Sequence, residues 1–113
     1  MSLLLEAGDS RLGAEGTTLS VTGGVDFEGA AELANTGSQW LAQQPPGSTV
    51  VLDLGGVDRI SSAAISVMLE WLRVAEAKRL TVQAVELSPP LLRLAEVAGI
   101  DSLLPAQTTG VTG

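Results

Sequence analysis

Residues 49–54, Thr-Val-Val-Leu-Asp-Leu, are the most strand-like run in the chain, and together with the thirty residues after them they restrict the fold more than any other feature. Two glycines, Gly55-Gly56, break that strand, and a short link, Val57-Asp58-Arg59-Ile60, leads to Ser61-Ser62. From there apolar residues recur at helical spacing: Ala64, Val67, Met68, Trp71, Leu72 and Ala75. Leu80 to Val85 is again strand-like. Strand, helix and strand in immediate succession predict two parallel strands joined by a right-handed crossover. The apolar continuity of 49–54 suits a central strand covered on both faces or nearly so.

The rest of the chain fits around that unit. Thr17 to Thr22 alternates and is rich in β-branched residues, which predicts a strand. Leu3 to Glu6 reads as a short partner strand, reached through a Gly8–Gly16 turn region. After Gly23-Gly24, Asp26 is placed to cap a helix, with Glu28 and Glu32 near its positive end. Ala30, Leu33, Ala34, Trp40 and Leu41 give that helix an apolar stripe, weakened by Gly29 and Gly37, and Pro45-Pro46-Gly47 stops it. Downstream, Ser88-Pro89-Pro90 has the form of a helix start, with Ser88 as cap and Pro89 in the first helical position, and Gly99 ends the helix. Ile100 to Leu104 reads as a last turn or short strand, and 105–113 as a disordered Thr/Gly tail. The expectation is one α/β domain over 1–104, with a mixed sheet and helices mainly on one face.

Composition narrows the chemistry. The 113 residues make one domain and contain no cysteine and no histidine. Disulfides, Cys/His zinc sites, thiol chemistry and nucleophiles activated by histidine are excluded. Six basic residues against 13 acidic ones give a net charge of −7, which repels phosphate backbones and anionic headgroups. Nucleic acid and direct membrane binding are therefore not expected. The N-terminus lacks the basic start of a signal peptide, and no stretch approaches the roughly 20 apolar residues of a membrane span, so a cytoplasmic protein is expected. Only 17% of residues are charged while mean hydropathy is +0.33, which points to an apolar outer patch and so to a partner.

The remaining candidates for catalysis are weak. Lys78 is the only lysine, and as the end of the same helix it would lie roughly 24 Å from Ser62, too far for a Ser–Lys dyad. Asp53 and Asp58 could in principle hold a magnesium ion, but a strand end and a turn explain them as well. No phosphate-loop or dinucleotide glycine pattern occurs. No cofactor or metal is expected, and the chain is read as a non-enzyme. Trp40 and Trp71 each fit a helix face as core residues. Ser62, Ser66, Glu70, Arg73 and Ala77 form a second, mostly polar stripe on the helix after residue 61, where Glu70 and Arg73 can pair. Either Ser61 or Ser62 can cap that helix, and Ser62 is a cap alone or a cap and a partner contact at once.

The segment Asp53-Leu54-Gly55-Gly56-Val57-Asp58-Arg59-Ile60-Ser61-Ser62-Ala63-Ala64 resembles the hallmark of the STAS domain, the family of anti-sigma factor antagonists. In that hallmark a strand ending D-L-x-G-V precedes a hydrophobic residue and D-S-[SAG]-G at a helix start. Ser88-Pro89-Pro90-Leu91 through Gly99-Ile100 is similar to the family's final helix. The departures are specific: Ser61 replaces the family aspartate, Ala64 the usual glycine, and Ala63 the serine phosphorylated in sporulation regulators. A glycine expected before Leu80 is also absent, so that turn is tighter or differently built. Met68-Leu69-Glu70-Trp71-Leu72-Arg73 looks like the MlaB branch of small STAS subunits. That resemblance implies a cytosolic, non-catalytic subunit of an ABC system that moves phospholipid and maintains outer-membrane asymmetry. It would bind an ATPase of the MlaF kind and sit peripherally at the inner membrane through the transporter complex. The expected contact surface is Asp58, Arg59, Ser61, Ser62, Ser66 and Glu70, because this helix start combines small residues, which permit close approach, with free backbone N–H groups. The alternative the family offers is an anti-sigma factor antagonist that switches between partners by binding an anti-sigma factor kinase.

Overall fold

The computed structural model describes residues 2–59, 61–100 and 109–110. The described elements are β1 (Ser2–Ala7), β2 (Ser10–Glu15), β3 (Thr18–Gly23), α1 (Phe27–Ala42), β4 (Thr49–Val57), α2 (Ser62–Ala77), β5 (Thr81–Leu87), α3 (Pro89–Val97) and β6 (Thr109–Gly110). The strands lie in one sheet in the order β1-β2-β3-β4-β5-β6. The first three are antiparallel neighbours, and β3, β4, β5 and β6 run parallel. Because β3-β4-β5 advance in one direction, crossovers of one hand must place α1 and α2 on the same face.

Burial agrees with that geometry. Leu12, Leu19, Leu52 and Val85 are buried and lie on four adjacent strands, facing the helices. From the helices, Leu33, Leu41, Val67, Met68, Trp71, Leu91 and Ala95 close the same core. Each fully buried leucine contributes roughly 1.5–3 kcal/mol. The opposite sheet face carries Ser20, Asp53 and Glu86 in one lateral row, none of them buried, and no helix covers it among the described residues. The central strand is thus covered on one face, where the apolar run had suggested nearly two.

Four local expectations are corrected. The Gly8–Gly16 region is not merely a turn: Ser10–Glu15 form β2, with Leu12 and Ala14 directed to the core and Gly13 between them. Gly55-Gly56 do not break β4, which continues to Val57 because Thr22 and Gly23 of β3 still pair with Gly56 and Val57. A side chain at Gly56 would crowd Thr22 on that neighbouring strand. Gly29 and Gly37, expected to weaken α1, are buried packing points of that helix. The strand expected at 80–85 begins at Thr81 and extends to Leu87.

The turn before β5 explains how the chain manages without the expected glycine. The N–H of Leu80 donates to Ala75 O at 2.8 Å and that of Arg79 to Glu76 O at 3.1 Å, a Schellman end for α2. Its left-handed position is filled by Arg79, with φ of 61°. The end of α3 repeats the motif, with Gly99 at φ of 74° in the equivalent place. The expected last turn or strand after Ile100 lies outside the described residues. So does the tail expected at 105–113, apart from Thr109 and Gly110, which pair with Glu86 and Leu87.

Candidate functional site

The parallel strands β3, β4 and β5 all end at one edge of the sheet. The loops that leave them, 24–26, 58–61 and residue 88, meet there, the edge at which open α/β sheets bind their ligands. Ile60 within this region lies outside the described residues.

Ser61 organises the edge. It is the N-cap of α2, in extended conformation, and its hydroxyl accepts from the Ala64 N–H at 3.0 Å. The same hydroxyl donates to the carbonyl of Val25 at 2.6 Å, tying the start of α2 to the β3–α1 loop. It is 9% exposed, so it builds the surface from beneath and does not present its hydroxyl to a partner. Of the two serines that the sequence offers as the cap, the structure selects Ser61 and not Ser62. Ser62 stands in the first turn of α2, exposed, and its carbonyl accepts from Ser66 Oγ at 3.1 Å.

Two further ties hold the loops. The buried Ser10 hydroxyl is shared between Ala7 O at 2.9 Å and Gly24 O at 3.1 Å. Arg59 reaches Asp9 at 3.2 Å and Asp58 at 3.6 Å, and its guanidinium lies over Gly24, where any side chain would collide with it. Arg59 and its carboxylates are largely exposed, so each pair contributes about 0–1 kcal/mol and acts mainly as a positional tie. Asp53, a candidate cation ligand by sequence, has Oδ1 accepting from the Gly55 N–H at 2.8 Å.

Of the predicted surface, Asp58, Arg59 and Ser62 cluster at the strand ends. Ser66 and Glu70 continue down α2, the first exposed and the second half-buried. Glu70 holds Arg73 by hydrogen bonds, and its hydrogen bond and charge raise the Arg73 guanidinium above its ordinary range. At the start of α3, Ser88 makes no side-chain capping bond, although Pro89 takes the first helical position as expected. Pro90 has no N–H to offer the cap, and the Ser88 hydroxyl is buried without a protein partner among the described residues.

Sequence reasoning missed Phe27. It opens α1 directly after the cap Asp26, whose Oδ1 accepts from the Gly29 N–H at 2.7 Å, and it is 77% exposed. Val25, two residues earlier, is the one bonded to Ser61, so α1 and α2 start side by side at this edge. The only signal in the sequence was an aromatic residue at a helix start, where a core role is the usual expectation.

Among the described residues no group of three or more potential ligating side chains could hold a metal ion. No described helix is long and apolar enough to cross a membrane. No curated protein matches the chain. The crystal structure of an anti-sigma factor antagonist from Mycobacterium paratuberculosis is similar in fold, with a TM-score of 0.64 at 21% identity over 89% of this chain and 88% of that one. The family model described as "Mlab, STAS domain" matches residues 10–105. A match across that much of the sequence, on a mixed sheet with its helices on one face, places the chain in the STAS domain family of the MlaB type.

Proposed function

We propose that this chain is a non-catalytic subunit that binds and supports the ATPase of an ABC phospholipid transporter, acting in outer-membrane lipid asymmetry. The observation that carries the reading is the pair of helix starts at this edge of the sheet. Phe27 at the start of α1 and Ser62 at the start of α2 are both exposed, and the Ser61–Val25 hydrogen bond fixes the two starts to each other. Small residues permit close approach, and an exposed aromatic is the side-chain type enriched where protein partners bind. Family membership supports the same reading.

The partner-switching alternative needs a hydroxyl where the family carries its phosphorylated serine. Ala63 stands there, 3% exposed and packed into the core. Phosphate at the neighbouring Ser62 would add up to about two negative charges at the proposed contact and weaken binding. The chain therefore acts by constitutive docking, from the cytoplasmic side of the inner membrane.

The test is copurification with the ABC ATPase encoded in the same genome. Ser62→Arg introduces bulk and charge at an exposed position and should remove the ATPase from the complex while the variant stays folded by circular dichroism. Retention of the ATPase at wild-type yield by folded Ser62→Arg would overturn the reading.

A further inference from the structure

The candidate surface continues into a crevice that the α2 stripe does not include. Asp58 and Arg59 on one side and Pro89, Pro90 and Arg93 of α3 on the other line an open depression of about 460 Å³ at the ends of the parallel strands β4 and β5. The chain has only six basic residues, and two of them line this crevice. Their situations differ. Arg59 is held by Asp9 and Asp58, whereas Arg93, on the outer side of α3, forms no ion pair among the described residues. Pro89 and Pro90 bring apolar ring surface without an N–H, so the α3 side offers its charge through Arg93 alone.

We propose that this crevice receives a short acidic segment of the protein partner, a carboxylate pairing with Arg93 while the neighbouring chain rests on Pro89 and Pro90. Charge complementarity selects the occupant. A guanidinium beside an open crevice matches a carboxylate by a forked pair of hydrogen bonds. The chain as a whole carries a net charge of −7, which repels acidic chains elsewhere and so favours this place for such a segment. This inference rests on the docking reading above and assigns it a second, electrostatic contact.

The experiment has two arms. In the first, affinity for the ATPase is measured for wild type, Arg93→Lys, Arg93→Glu and Ser62→Arg at low and physiological salt. Charge reversal at Arg93 should weaken binding roughly tenfold or more and flatten its salt dependence, with Arg93→Lys nearer wild type. Wild-type affinity in Arg93→Glu together with loss in Ser62→Arg would overturn the crevice and leave the docking reading standing. In the second arm, a synthetic peptide, Glu-Leu-Glu-Glu-Leu-Glu with blocked ends, is titrated into isotope-labelled protein. Should wild type not bind the ATPase at all, this arm decides the crevice alone. Amide shifts at Asp58, Arg59, Leu91, Leu92 and Arg93 that vanish in Arg93→Glu support it, and their absence in wild type overturns it.

Discussion

Gly37 of α1 lies against the indole of Trp71 of α2, so close that a β-carbon at Gly37 would overlap the ring. The ring is fully buried, and its Nε1–H donates to Ala34 O at 3.2 Å, one turn away from Gly37 on the same helix. The glycine is what lets the two helices seat a tryptophan between them. Gly37→Ala should destabilise by about 1–3 kcal/mol through overpacking, although alanine is the better helix former by about 1 kcal/mol. In a Trp71→Leu background, itself costing about 3 kcal/mol, the same change should become neutral or stabilising. Urea unfolding of the double-mutant cycle checks this, and equal penalties in both backgrounds would refute the contact.

Adjacent serines should respond differently. Ser61→Ala removes a cap and leaves the Val25 carbonyl without its donor, a loss of about 1–3 kcal/mol. Ser62→Ala, at an exposed position inside the helix, should stay within about 0.5 kcal/mol of wild type. Thermal or urea midpoints decide between them, and a reversed order would contradict the capping assignment.

Arg79 and Gly99 occupy the same place in two helix ends. Replacing Arg79 by glycine relieves a left-handed side chain and should stabilise by about 1 kcal/mol. Gly99→Ala meets no neighbouring atom, so its cost should be the backbone strain alone, also about 1 kcal/mol. Equilibrium unfolding of the two variants should show shifts of opposite sign.

Phe27→Ser should separate stability from binding. With the ring 77% exposed, the melting temperature should hardly move, while retention of the ATPase on a column should fall together with that of Ser62→Arg. A large drop in melting temperature would reassign Phe27 to the fold.

The parallel unit from β4 to β5 was legible because strand and helix periodicities alternate cleanly there, and its side chains need no distant partner to be understood. β2 was not, because Gly8, Gly13 and Gly16 read as turn residues. Gly13 becomes strand only through pairing with Leu3 and Ser20 on its neighbours. Gly55-Gly56 misled for the same reason, since the ladder to β3 holds them extended. At the site, the sequence located the start of α2 but could not choose between two identical serines. The acceptor that selects Ser61 lies 36 residues away. Arg93 was invisible as a site residue because only the packing of α3 brings it opposite Asp58 and Arg59.

The bonds from Ser61 to Val25, from Ser10 to Gly24 and from Arg59 to Asp9 join the β1–β2 turn, the β3–α1 loop and the start of α2. Together they make the strand-end surface one plate. A plate already assembled before contact spends little conformational entropy when it docks. Its encounters succeed without waiting for a loop to rearrange, so association rates should vary little among variants that keep these bonds and the charge of the surface. What distinguishes one partner from another is then the lifetime of the complex, set by how well its surface matches a shape that does not yield.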